Sequence, residues 1–270
     1  MSILPRVAII GAGKLGNGLA RALEGAGSLV SLLGRDQGSW GRGIADREIV
    51  LLTVPDDAIG EAAGQLAQIA EIGTDLVVLH TSGARDRAAL APLIGKVGGL
   101  GSFAPAQTVA DPATALERLR GAYAVIEGDP VAIAAGKRLA ITLGMRPAEI
   151  PATAKVAYHA GATMIANLGV GLAGMAARVA WEGGVPAELA AEIYLPLWRG
   201  AVANVEELGA VAALTGPVRR GDVETIRRHL EVLKGTEREA YVALSREALR
   251  LARAAGLDEG KAAAVEAELK

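Results

Sequence analysis

The chain has 270 residues, 51% of them hydrophobic and only 3% aromatic. That composition fills one large core or two modest ones with Ala, Val, Leu and Ile, and it excludes a disordered chain. Lys plus Arg number 28 against 30 Asp plus Glu, so the basic excess of a nucleic-acid binder is missing. With no cysteine the chain has no disulfide, thiolate metal site or thiol nucleophile, and it fits a cytoplasmic setting.

The opening residues, Met1 to Ile10, show no basic leader or small-residue cleavage site, so no signal peptide is expected. Apolar runs at Val7–Ile10, Leu29–Leu33, Glu48–Val54, Leu76–Leu79, Val97–Leu100, Ala122–Ile126 and Met145–Ile150 read as strands. Between them, Lys14–Leu23, Ala58–Ile69 and Val131–Leu143 read as helices. Short apolar strands alternating with helices predict an α/β fold, a doubly wound parallel sheet covered on both faces. After Pro151 the strand signals stop, which puts a domain boundary at 151/152 and an all-α domain over 152–270. There Thr153–Trp181 and Ala187–Leu214 read as long helices, with Pro196 expected to kink the second. Asp222 is placed to cap a helix running to Lys234, and Thr236–Glu239 fits a capping box for a helix to about Ala255. Ala160–Ala177 carries no charge, but its Ala and Gly content and Asn167 point to a buried helix rather than a membrane span.

Gly11-Ala12-Gly13-Lys14-Leu15-Gly16 lies between the first strand and the first helix. Gly11 permits a tight turn, Gly13 lets a pyrophosphate reach the backbone, and Gly16 lets helix and strand pack closely. At this position the spacing predicts a dinucleotide. An acidic residue ending the second strand would select NAD, and an arginine suits the 2′-phosphate of NADP. The strand ends Leu33-Gly34-Arg35-Asp36, so Arg35 favours NADP, while Asp36 keeps NAD as the less favoured alternative. Val54 and Pro55 end the third strand on the same rim and are expected to line the cofactor groove; Asp56 and Asp57 fit a helix cap. His80, Thr81 and Ser82 end the fourth strand, where ligands bind in such sheets. Thr81 and Ser82 are thus candidate cofactor contacts, Ser82 a substrate contact too, and His80 either a catalytic group or a buried histidine bonded to backbone.

These motifs resemble a family of Rossmann-like oxidoreductases whose C-terminal half is a domain of unknown function. The family lies near pyrroline carboxylate reductase and the deazaflavin-dependent NADP reductases, in the phosphogluconate dehydrogenase-like group. The stretches that carry the resemblance are Gly11–Gly16, His80–Ala84, Gly101–Gln107, Lys155–Asn167 and Ala213–Asp222, with Thr225, His229 and Leu230. The resemblance implies NADP binding and a helical domain that often mediates dimerisation; it supplies no substrate. Where the family usually has a histidine before the proline, this chain has Ala104-Pro105, and an alanine transfers no proton.

Lys155, Tyr158 and His159 share one helical face. Lys155 matches the catalytic lysine of the broader group, whereas Tyr158 stands where its asparagine would be. Hydride reduction needs a proton donor, and Lys155, His159 and Tyr158 are the candidates, unless all three only pack the domain junction. Asn167, two turns on from His159, either binds substrate or bridges helices. Gly169, Gly171, Ala173 and Gly174 allow a close helix contact, as in a homodimer or a bundle. Arg219 and Arg220 are surface charges or, less favoured, an anion site. The expectation is an NADP-dependent oxidoreductase acting on a small carbonyl or imine in an interdomain cleft, with no metal. An NADP-binding sensor or scaffold without turnover is the alternative, and hydride exchange with a deazaflavin is disfavoured. Neither a nucleic-acid nor a membrane partner is expected.

Overall fold

A computed structural model describes residues 4–70 and 72–270; the reading of the first three residues lies outside it. Seven strands form one sheet: β1 (Val7–Ile10), β2 (Val30–Leu33), β3 (Ile49–Leu52), β4 (Val77–His80), β5 (Gly99–Pro105), β6 (Tyr123–Gly128) and β7 (Arg146–Glu149). Their order is β2-β1-β3-β4-β5-β6-β7. All neighbours are parallel except β5 and β6, which run antiparallel with Phe103 opposite Ile126. That pair departs from the all-parallel expectation. Each of the first four strands has four residues, and those of β1 and β3 are buried throughout.

Alternate residues of these strands serve two cores. Val7, Ile9, Ile49, Leu51 and Leu79 face one side, with helices α1 (Lys14–Gly25), α4 (Ala115–Leu119) and α5 (Pro130–Thr142). Ala8, Ile10, Val50, Leu52 and Val78 face the other, with α2 (Trp40–Ile44) and α3 (Ile59–Leu66). A sheet buried on both faces has no polar side to alternate with, which is why its strands read as continuous apolar runs. Asp129 starts α5 firmly, its carboxylate accepting from the amides of Val131 and Ala132 at 3.1 and 2.9 Å.

The first compact unit continues to Asn167 and the second runs from Leu168 to Lys270. Helix α6 (Lys155–Thr163) therefore belongs with the sheet. A π-turn at Met164–Leu168 follows it, and α7 (Gly169–Glu182) follows that. The second unit then has α8 (Ala187–Ala213), α9 (Gly216–Arg220), α10 (Val223–Val232), α11 (Gly235–Ala254) and α12 (Glu259–Glu268). Val218, Ile226, Leu249, Ala262, Val265 and Leu269 form its core.

Several local expectations are met and others corrected. Asp222 caps α10 through the Thr225 amide at 3.1 Å. The capping box at Thr236 does not form, because α11 starts two residues earlier, with Lys234 in the cap position. The backbone of α8 leaves helical geometry at Gly209, with φ 74°, rather than at Pro196. A positive φ is open to glycine without strain, so the break falls there. Arg219 donates to the Ala255 carbonyl at 3.1 Å, at the end of α11, which gives it a structural task. The buried helix expected over Ala160–Ala177 is not buried within the chain. Ala152–Glu182 is long and apolar enough to cross a membrane by length and composition, and Ile165, Leu168 and Val170 near its middle are exposed.

Candidate functional site

The carboxyl ends of β1, β2 and β3 frame a groove of about 720 Å³, whose walls include Gly11, Gly13, Gly34, Arg35, Val54 and Pro55. The three glycines of the first turn do different work. A Cβ on Gly11 or Gly16 would strike the protein itself. At Gly11, whose φ is +117°, it would lie 2.8 Å from the Thr53 carbonyl oxygen; at Gly16 it would overlap the Gly11 carbonyl and approach Thr53 Oγ1 to 2.6 Å. A Cβ on Gly13 would meet nothing within 4 Å. No protein atom requires Gly13 to be bare, so the space above it suits an outside group, as a pyrophosphate would need.

The turn's own carbonyls are already satisfied. Thr53 Oγ1 donates to the Gly11 carbonyl at 2.7 Å, and Asn17 Nδ2 to those of Ala12 and Gly13 at 2.7 and 3.0 Å. The first bond inside α1 is Asn17 N to Gly13 O at 2.9 Å, so helix geometry leaves the amides ahead of it without acceptors. No side chain caps this end and no acid occupies the first turn, which leaves the positive end of the helix dipole for an anion. Ala12 also lines the groove. Lys14 is exposed at the start of α1, Leu15 packs towards the core and Gly16 is buried; none of these three lines it.

At the adenosine end expected from the motif, Gly34 also has open space where a Cβ would stand. Its carbonyl accepts from buried Trp40 Nε1 at 2.9 Å, which ties down the turn. Asp36 is not among the groove's lining residues: its Oδ1 accepts from the Gly38 amide at 3.1 Å and caps a short 3₁₀ turn. Arg35 and Gln37 line the groove on this side. Glu61 and Gln65, joined by a 2.9 Å hydrogen bond on α3, line it opposite.

A second cavity, about 440 Å³, opens at the ends of β4 and β5. Thr81, Gly83, Ala104, Tyr158, His159 and Asn167 are among its walls, so α6 and its π-turn bring three of the predicted residues together there. Asn167 is exposed rather than buried. Among the described residues, no protein partner bonds either ring nitrogen of His159. Burial pushes the Tyr158 phenol above its usual range, holding it neutral.

Three other predicted residues lie behind this wall. His80 is wholly buried, and both ring nitrogens are taken: Nδ1 accepts from the Ser82 amide at 3.2 Å and Nε2 faces the Asp86 carbonyl at 2.9 Å. A carbonyl only accepts and an amide N–H only donates, so the proton sits on Nε2. Desolvation lowers its pKa to about 4, which removes His80 as a proton donor at neutral pH and leaves the backbone-bonded reading. The Ser82 hydroxyl donates to Asp56 Oδ2 at 2.7 Å and accepts from the amides of Ala84 and Arg85 at 3.2 and 2.9 Å. It is fully engaged in its own loop, and Asp56 serves that loop instead of capping a helix. Lys155 is wholly buried, its Nζ donating to the Ser82 carbonyl at 3.0 Å and to Ser102 Oγ at 2.7 Å. Burial lowers its pKa against the opposing pull of the Glu127, Asp86 and Asp56 carboxylates. It lines neither cavity.

Sequence reasoning missed Asn17, Thr53, Glu61 and Gln65. The contacts of Thr53 depend on where β3 ends beside β1, which no local spacing records, whereas Asn17 bonds Ala12 and Gly13 and Gln65 bonds Glu61 close by in the chain.

The domain of unknown function DUF2520 matches residues 122–248, a span that begins at β6 and ends within α11. No curated protein is detectably similar in sequence. Among solved structures, protein TM1727 from Thermotoga maritima is 23% identical, with a TM-score of 0.72 over 92% of this chain and 98% of that one. A candidate NADP oxidoreductase from Bacteroides fragilis is also 23% identical, with a TM-score of 0.67 over 93% and 97%. Pyrroline carboxylate reductase from Plasmodium falciparum, solved with NADP bound, is 12% identical, with a TM-score of 0.56 over 97% and 98%. The chain thus has a Rossmann-type fold, and its residues 122–248 are similar to the DUF2520 domain.

Proposed function

We propose that the protein is an NADP-dependent oxidoreductase that moves hydride between the nicotinamide and a small carbonyl or imine compound. The observation that carries this is Gly13, bare over an uncapped helix N-terminus although no protein atom needs the room. Arg35 supports NADP over NAD, because Asp36 is spent on its own turn and leaves a guanidinium as the charged group at that rim. The bound cofactor supplies the hydride. His159, lining the second cavity with no protein partner, gives the proton to the oxygen or nitrogen of the reduced bond, and solvent reprotonates it. Tyr158, Thr81 and Asn167 orient the substrate there. Ala104 adds only a methyl group to this wall, and that favours the second reading, an NADP-binding sensor without turnover.

Calorimetric titration with NADPH and NADH, followed by NADPH oxidation against a panel of 2-oxo acids, aldehydes and cyclic imines, tests both. NADPH is expected to bind more tightly, with Arg35→Ala reducing that preference about 10–100-fold, the worth of one charged hydrogen bond. His159→Asn is expected to lower kcat about 100-fold or more without changing nucleotide affinity. Binding with no turnover of any compound selects the sensor; no binding of either nucleotide ends both readings.

The same proposal includes a homodimer, in a soluble and cytoplasmic setting. Ile193, Leu197, Val202, Val205 and Leu208 are all about half exposed or more on α8, and Ile165, Leu168 and Val170 are exposed around the π-turn. An apolar surface of this extent marks an interface, and a second copy covers it on both chains by one two-fold contact.

A further inference from the structure

We propose that Gly83 is a positioning residue: its bare Cα forms the seat that aims the His159 imidazole into the cavity, and Lys155 fixes that seat. The inference rests on the reading of His159 as the proton donor. A Cβ on Gly83 would overlap His159 Nδ1 and stand 3.1 Å from Cε1 and 3.2 Å from Cγ. Gly83 is not among the glycines with positive φ, so its backbone conformation is open to any residue. The ring, and not the turn, is what needs a glycine.

The seat is held on both sides. The residue before it is gripped at its carbonyl by Lys155 Nζ and at its hydroxyl by Asp56. The two amides after it donate to that same hydroxyl. Lys155 and His159 stand four residues apart on α6, on one face. One turn of helix therefore ties down residue 82 with its lysine and lays its histidine against residue 83. The lysine acts through this loop, since it reaches no cavity itself. With one edge of the ring packed on Gly83, the remaining edge is left for the cavity.

The test is Gly83→Ala in the full-length protein, read first by NMR of the histidine rings. His229 serves as the internal control, because it lies on α10 and bonds Tyr241 there. The His159 ring resonances are expected to move, while those of His229 stay in place. Nucleotide affinity should hold within twofold. With any compound that the panel shows to be turned over, kcat should fall about 10–100-fold, as for a reacting group displaced by about an ångström. His159→Asn should then gain nothing further from Gly83→Ala. Unmoved His159 resonances overturn this proposal and leave the oxidoreductase reading intact. Full activity of His159→Asn overturns the proton-donor reading instead. Should Gly83→Ala fold poorly, adding His159→Ala removes the clash and is expected to restore folding; failure to restore it also overturns the proposal.

Discussion

The two units dispose of their apolar residues in opposite ways. In the first, every residue of β1 and β3 is buried, because helices cover both faces of the sheet. In the second, α8 has 27 residues and Ala190 is its one buried residue. The first unit closes its own core, while the second has a small core of Val218, Ile226, Leu249 and neighbours and a long helix left largely uncovered. In the homodimer proposed above, a second copy covers this surface. The largest expected effect therefore lies on α8. Leu197 is 69% exposed, so Leu197→Glu has little to disturb within its own chain. In a dimer it buries an unpaired charge, which costs several kcal/mol. Sedimentation is expected to show the wild type at twice the 27.5 kDa chain mass and the variant at the single mass, with the same circular dichroism. A monomeric wild type would break the comparison, and its binding to lipid vesicles would then be the measurement to make on Ala152–Glu182.

The closed unit fails differently, through backbone contact in its first turn. Gly16→Ala pushes a methyl group into the Gly11 carbonyl and against Thr53 Oγ1, and neither can retreat without breaking β1 or β3. A loss of about 3 kcal/mol in urea unfolding is expected, at the upper end for an overpacked site. Gly13→Ala, three residues away, meets no atom and should change stability by no more than about 0.5 kcal/mol. Its cost should appear in NADPH affinity, about 10–100-fold by calorimetry, the loss from one displaced charged hydrogen bond. Equal stability losses for the two variants would show that Gly13 serves the fold, and would remove the observation that carries the cofactor assignment.

How legible each region was in the sequence follows from the same contrast. β1, β3 and β4 were visible, since strands covered on both faces are written in unbroken apolar residues; β7 at the sheet's edge is largely exposed, and β5 begins two residues after Val97 and runs on to Pro105. The direction of β6 was not visible, because pairing direction is decided by how the chain returns and leaves no mark in composition. The turn Gly11–Gly16 announced itself through spacing, and Arg35 through its place after β2. Which of Lys155, Tyr158 and His159 reaches solvent was not legible. Helical spacing puts them on one face, but only the placement of α6 against β4 and β5 sends the lysine into the core and the histidine to the cavity. Over Ala160–Ala177, on α6 and α7, apolar content said "buried", and it cannot say by what.

The smallest expected effect sharpens the account of the closed unit, since it reads a buried group in the wall behind the cavity. His80 has its pKa lowered from 6.5 to about 4, chiefly by desolvation. Below pH 6.5 the unfolded chain takes up this proton more readily than the folded one, so stability falls as the pH drops from about 6.5 to about 4. At pH 4.5 the shortfall from this one group is about 2 kcal/mol. His80→Gln keeps an N–H for the Asp86 carbonyl and has nothing to titrate. Urea unfolding at pH 7 and 4.5 should therefore show the variant losing about 2 kcal/mol less than the wild type over that interval, whatever its stability at pH 7. The carboxylates titrate in both proteins and cancel in the difference. Equal losses would mean that His80 takes up its proton in the folded state, so that the Ser82 amide no longer faces a bare nitrogen. The loop carrying Thr81 and Gly83 would then rearrange with pH, and the wall against which His159 rests would not be the fixed one described by its hydrogen bonds.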